Sequence, residues 1–363
     1  MDASREEMAE RASEFEWRLE GEEAEIVLYA PDDSAAGRVL PAASLEGGES
    51  PVYAVHSGEG FGWVLAARFA APDLFSAPSC GLLLRTGVRS DSLDVSPGDL
   101  VPVILRRLSE VVPPPLNASA AGRLCEAGAA FAAEEGLIEE EDLEVFGRSG
   151  GAPDALGRRA LAAAERDWEE PAAVDVRVVG DVFDAERAEE VGIERGEIIV
   201  VVRAGSGDLG RLAVEAHRGR ILSRVRSGVF DGREDLPAAP ADGEETCDLL
   251  AAVGAATAFA GGRAALRLWA LRRALREDLP ELVPVASWGV GGLREEEGHL
   301  VHRRHLAVAG EGQILCTGRF ATASLGAMLR SAPPFGVAER EGKWPWEEAG
   351  LVQRIADLEP TSP

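Results

Sequence analysis

Residues 51–88 read PVYAVHSGEGFGWVLAARFAAPDLFSAPSCGLLLRTGV, and the rest of the chain can be placed relative to this stretch. Glycines at 58, 60 and 62 surround His56 and Phe61. That spacing predicts a tight backbone path open to glycine, leading into an apolar strand over Trp63 to Ala67. The second half closes on Ser79-Cys80-Gly81 and continues as Leu82-Leu83-Leu84-Arg85-Thr86. Such a run predicts a short buried strand behind Cys80, a candidate soft metal ligand.

Upstream, residues 1–22 predict a polar helix and Ala24 to Tyr29 a strand, followed by the turn-rich residues 32–48. Downstream, Pro97 opens a helix that Pro113-Pro114-Pro115 stops. Ser119 to Glu135 predicts an alanine-rich amphipathic helix, and the charge run EEGLIEEEDLE after it a solvated acidic face. A further helix is predicted from about Ala155 to Trp168. The run Ile198 to Val202 predicts a central strand, and Arg218 to Arg226 another. Leu236 to Glu245 reads as a Pro/Gly/Asp linker. Beyond it, Cys247 to Arg276 has a long helical pattern interrupted at Gly261-Gly262. Arginines 263, 267, 272, 273 and 276 make it the most basic stretch of the chain, a face that balances the acidic body.

Composition narrows the class of partner. The 363 residues carry 37 basic and 63 acidic side chains, a net charge of −26, and 46% of them are hydrophobic, enough for a sizeable core. Lys343 is the one lysine. A field of this sign repels polyanions, so an RNA site requires a local basic patch. Four scattered cysteines without a CxxC pair suggest neither a disulfide framework nor a structural zinc site. The acidic start is unlike a signal peptide, and no apolar run approaches the roughly 18 residues of a membrane span, so a cytoplasmic protein without a membrane role is expected.

The order of these residues resembles the RNA ligase family RtcB, whose pattern is roughly P-D-x-H-x-G-Y-G-F-P-x-G-G, then D-x-N-C-G-V-R-L-L-R-T. His56, Gly58, Gly60, Phe61, Cys80, Gly81, Leu83, Leu84, Arg85 and Thr86 fall on matching positions. Further on, Ile198 to Gly210 is similar to the family's I-H-C-G-S-R-G-L-G segment. Val301-His302-Arg303-Arg304 is similar to V-H-R-K, and Gly318, Thr322, Ala323 and Ser324 to the G-S-M-G-T-x-S-Y loop that wraps a guanylate. The resemblance spans residues 39–335 and the last dozen. It implies an α/β (mixed α+β) single large domain over 39–335 with a central mixed sheet and surrounding helices, preceded by a helix and strand over 1–38 and followed by a shortened segment over 336–363.

The family joins 2′,3′-cyclic-phosphate or 3′-phosphate RNA ends to 5′-hydroxyl ends, using GTP, a manganese pair and a guanylylated histidine. By that resemblance His302, Arg303, Arg304, Gly318, Thr322 and Ser324 are the candidate nucleotide-binding residues and Cys80 the candidate metal residue. The other ligand positions hold different side chains. Ala77 replaces the aspartate, Ala172 and Arg203 replace histidines, Ala204 a cysteine and Arg211 a second histidine. Trp288-Gly289 lies near a ligating His-Asn, and the histidine nucleophile after Phe335 is missing. Pro171 and Asp175 stand where the family's guanylate-holding asparagine and glutamate would. One thiolate does not hold manganese, which needs several convergent N, O or S donors.

The expectation is therefore a pseudoenzyme that keeps binding of RNA, a guanine nucleotide or a protein partner. Two alternatives stay open. One is an active ligase with relocated ligands, for which His299, His302 and His305 offer a possible new metal set. The other is a dinucleotide-binding enzyme, because Gly205-Ser206-Gly207-Asp208-Leu209-Gly210 spells GxGxxG after a strand.

Overall fold

The computed structural model describes residues 9–13, 16–20, 25–29, 52–54, 69–70, 78–290, 293–296, 299–302, 313–317 and 353–360, apart from breaks at 94–95, 113, 115–117, 147–149, 168–172, 231, 234–235, 238, 241–242 and 280. The chain begins with strands β1 (Ala9–Ser13), β2 (Glu16–Glu20) and β3 (Glu25–Tyr29), then β4 (Val52–Ala54), which together form one small sheet. The helix expected over 1–22 is thus corrected to two strands. The reason is visible in β2, where Trp17 and Leu19 alternate with Glu16, Arg18 and Glu20 at the strand period of two.

After the short β5 (Phe69–Ala70) comes β6 (Ser79–Arg89), then helices α1 (Leu100–Glu110), α2 (Ala118–Ala127), α3 (Ala129–Glu134), α4 (Asp142–Phe146) and α5 (Arg158–Asp167). Ser96 caps the single turn that leads into α1, its hydroxyl accepting from the Gly98 N–H. The expected helix over 119–135 is two helices, parted at Gly128, whose φ of +59° is left-handed.

Next come β7 (Ala173–Val182), α6 (Ala185–Val191), β8 (Glu197–Gly205) and α7 (Gly207–Arg226). The strand expected over 218–226 is the second half of α7. Ile221 is buried there, while Arg220 and Arg224 pair with Asp248 and Glu245 on the following helix. These tertiary contacts outweigh the β-branched character of the segment. Short strands β9 (Gly232–Arg233), β10 (Leu236–Pro237) and β11 (Ala239–Pro240) lead to α8 (Glu244–Leu275), then β12 (Val283–Val290), β13 (Leu293–Glu296), β14 (His299–His302), β15 (Gln313–Thr317) and β16 (Gln353–Pro360).

The main sheet has the order β12-β6-β8-β7-β16-β15. The α/β class is as expected, but all five pairings in this sheet are antiparallel rather than mixed. β8 sits at its centre, and Glu197 to Val202 are buried without interruption. Each aliphatic side chain so enclosed contributes about 1.5–3 kcal/mol. Leu82, Leu84, Ile198, Val200 and Val202 face one layer of helices, packing with Ile104 of α1 and Leu268 of α8. Leu83, Ile199 and Val201 face the other way, toward Ala188, Ile193 and the β16 residues Ile355 and Leu358.

Helix α8 runs unbroken for 32 residues through Gly261-Gly262, where an interruption was expected. A Cβ on Gly262 would lie 2.2 Å from Leu124 Cδ2 and 3.0 Å from the Gly128 carbonyl oxygen, so glycine here lets α2 and its Gly128 turn close against α8. The helix is also long and apolar enough to cross a membrane, with an 18-residue window of mean hydropathy 1.5 that is 83% buried inside the protein. Its apolar length was missed because its arginines interrupt the run. Those arginines are not one basic face. Arg263 is buried, Arg272 pairs with Asp142, and Arg273 stacks 5.2 Å from the Trp269 ring centroid. The acidic run behaves similarly, since Glu139, Glu140 and Glu141 are exposed while Asp142 is buried in that ion pair.

Candidate functional site

Register alone brings the singled-out positions together at one end of the main sheet. Cys80 of β6 lies opposite Ala204 of β8 and Gly289 of β12. In the neighbouring row, Trp288, Gly81, Arg203 and Ala173 follow one another across β12, β6, β8 and β7. The loop beyond β8 is tied to the start of β6, because Ser206 donates to the Pro78 carbonyl through Oγ at 2.6 Å and through its backbone N–H at 2.8 Å. From α8, Arg263 donates to the Gly205 carbonyl. Four strands and the core helix therefore converge where the sequence placed Cys80 and Arg203.

Within this convergence the thiol and the guanidinium separate. Adjacent rows of a sheet project to opposite faces. Cys80 joins the apolar cluster on the helix side, where its Sγ lies 3.6 Å from the Gly81 carbonyl. Arg203 shares the other face with Asp175 and Arg177, which follow Ala173 at the strand period. Asp175 accepts from Arg177 Nε and Nη2 at 2.9 and 2.5 Å. Among the described residues, two buried nitrogens on this face find no hydrogen-bond partner, Arg177 Nη1 and Arg203 Nε. Burial pushes the Arg203 pKa down; Asp175 works against that shift and Arg177 adds to it.

Among the described residues no three His, Cys, Asp or Glu side chains are grouped to hold a metal ion. The donors at the ligand-equivalent positions do not fit a divalent cation. A guanidinium has five donors and no acceptor, while Ala204 and Gly289 offer no side-chain donor atom. The chemistry available at this end of the sheet is recognition of negative charge.

The GxGxxG alternative is corrected by topology. A dinucleotide fingerprint needs a parallel βαβ unit, whereas both neighbours of β8 run antiparallel to it. The loop's polar groups are also committed elsewhere. The Ser206 hydroxyl is spent on Pro78, and a Cβ on Gly210 would fall 1.9 Å from Ser206 Oγ. Asp208 places a carboxylate in the first turn of α7, and Arg211 answers that carboxylate and Glu215.

Of the candidate nucleotide residues, His302 is the last residue of β14, with Leu293 opposite it on β13. His299 begins the same strand, so the spacing of three that aligns side chains on a helix has no such meaning here. Arg303, Arg304, Gly318, Thr322 and Ser324 lie outside the described residues, as do His56, Trp63 to Ala67, Ala77, Pro171, Ala172 and His305.

Sequence reading missed Arg177, and it placed Arg263 on a basic helix face rather than against the Gly205 carbonyl. The signal for Arg177 was present in VDVRVV, where two charges sit two apart inside an otherwise apolar strand and so share a face.

A family model described as tRNA-splicing ligase RtcB matches residues 53–283. The match runs from β4 to the first residue of β12 and takes in Cys80, Asp175, Arg177, Arg203 and α8. It ends before Trp288 and before the segment from His302 to Ser324, and so is narrower than the expected 39–335. Comparison with the curated proteins gives no match.

Proposed function

The chain belongs to the RtcB family, and from that premise we propose that it is a catalytically impaired member which retains binding rather than ligation. The observation that carries this reading is Arg203, a fixed positive charge on the central strand at a position where the family resemblance places a metal-ligating histidine. A guanidinium has no lone pair to give a cation and repels one electrostatically. Ala204 and Gly289, in register with Cys80, add no donor atom. Without the histidine nucleophile the reaction also lacks a covalent guanylate step.

The retained role is association with an RNA end or a guanine nucleotide, in the cytoplasm, at a positive spot on an otherwise acidic body with net charge −26. Radiolabelled GTP carrying the label on its α-phosphate, incubated with the full chain and manganese, tests the reading. No stable protein labelling is expected. A labelled, acid-sensitive adduct on the protein would show the guanylylation step to be intact and would overturn it.

A further inference from the structure

We infer that Arg203 and Arg177, braced by Asp175, form a metal-independent binding site for a phosphate monoester on the face of the sheet opposite the helical core; this rests on the reading that the paired-ion positions have been given up. The starting point is an imbalance of charge. Among the described residues, two guanidinium groups and one carboxylate meet on the face shared by β7 and β8, leaving one positive charge over. Arg177 is 5% exposed, so its charge is out of water. Its Nη1 and the Nε of Arg203 are buried donors with no hydrogen-bond partner among the described residues. Buried polar groups in native proteins are paired, and two orphaned charged donors in one neighbourhood point to an acceptor that the described residues do not supply.

The geometry selects the acceptor. Asp175 takes the Nε and Nη2 edge of Arg177, fixing the plane of the guanidinium and leaving Nη1 for another ligand. Asp175 lies diagonal to Arg203 across the β7–β8 pair, and Arg177 follows it two residues further along β7 on the same face, near enough for both charges to act on Arg203. Next to Arg203 in the row is Gly81, which adds no side chain to crowd it. Two guanidinium groups with fixed forks suit a tetrahedral oxyanion and gain strength from charge-assisted bonds. Burial alone disfavours the charged form of Arg203, and a bound anion would reverse that penalty. A guanidinium standing where a metal ligand is expected thus supplies the positive charge itself.

Equilibrium dialysis of the full chain in EDTA against radiolabelled inorganic phosphate tests the site, with guanosine 3′-monophosphate and unphosphorylated guanosine as competitors. Saturable one-to-one phosphate binding is expected, with no competition from guanosine. Displacement by the 3′-monophosphate at lower concentration than by unlabelled phosphate identifies a nucleic-acid end as the source of the ligand. Equal displacement identifies the free anion. Arg203→Met is expected to weaken binding at least tenfold, and Arg195→Ala, at an exposed ion pair with Asp181, to leave it unchanged. Arg203→Lys keeps the charge but loses the fork, so it covers the case in which the methionine variant does not fold; it should bind several-fold more weakly. Absence of saturable binding by the unaltered chain, or unchanged affinity in a folded Arg203 variant, refutes the site and leaves the labelling experiment with GTP to decide the impaired reading separately.

Discussion

Replacing Asp142 with alanine is expected to destabilise the protein by about 3 kcal/mol. The carboxylate, 6% exposed, accepts from Arg272 Nη1 at 2.6 Å and Nη2 at 2.9 Å, and from the Glu139 N–H at 3.0 Å where α4 begins. Removing one partner of a buried ion pair costs about 3–5 kcal/mol, chiefly because the other charge is stranded. Arg272 keeps its bond to the Leu282 carbonyl and its side chain is 28% exposed, so solvent absorbs part of that charge and the lower end of the range applies. Arg272→Met strands the more deeply buried carboxylate and should cost about 4 kcal/mol by the same argument. The double variant Asp142→Ala with Arg272→Met removes both charges, strands neither, and should cost about 3 kcal/mol less than the two single losses combined. Urea unfolding followed by tryptophan fluorescence, with m held common across the four proteins, measures all three. A single variant within about 1 kcal/mol of the parent, or a double variant whose loss equals the sum of the singles, would refute the reasoning, because additivity means that the two side chains do not couple.

Two further outcomes follow from perturbed ionisations. Burial, then the adjacent Arg220, hold the His217 pKa below its ordinary value, and Arg220 Nη2 lies 2.6 Å from His217 Nδ1. The unfolded chain therefore takes up this proton first as pH falls below about 6.5, and the stability contributed by the neutral ring, complete above that value, drains away on acidification. Urea midpoints of the parent should drop more steeply between pH 7.5 and 5.5 than those of His217→Gln, and parallel slopes would count against the assignment. Burial pushes the Cys125 thiol up to about 12, whereas Cys247 is exposed at the start of α8. Maleimide treatment of the folded chain at pH 8 should modify Cys247 and spare Cys125, and peptide mass spectrometry showing the two modified at similar rates would contradict this.

Much of the sheet was legible because its signals are strictly local. Six successive residues from Glu197 to Val202 are buried, and the aliphatic run among them admits little but a central strand. Ser96 and Pro97 likewise announce α1. What misled was context. RILSRVR reads as a strand, yet it forms the second half of α7, where Ile221 is buried and Arg220 and Arg224 meet acidic partners on α8. Gly261-Gly262 reads as a stop until Leu124 and Gly128 are seen lying against it. The candidate site shows the same division. That the resemblance assigns a histidine to the position of Arg203 could be read from motifs, but that Arg203 faces Asp175 and Arg177 while Cys80 faces the helices depends on strand register, which no single segment encodes.

β16 occupies an unusual place, hydrogen-bonded between β7 and β15 although it lies far from β7 in the chain. Until the ribosome has delivered residues 353–360, the outer border of β7 has no neighbour, and its backbone amides and carbonyls stand ready to zip onto any extended peptide nearby. So distant a pairing also raises contact order, which slows folding. Translation of this polypeptide therefore leaves an interval in which that border of β7 is open to pairing with other extended segments.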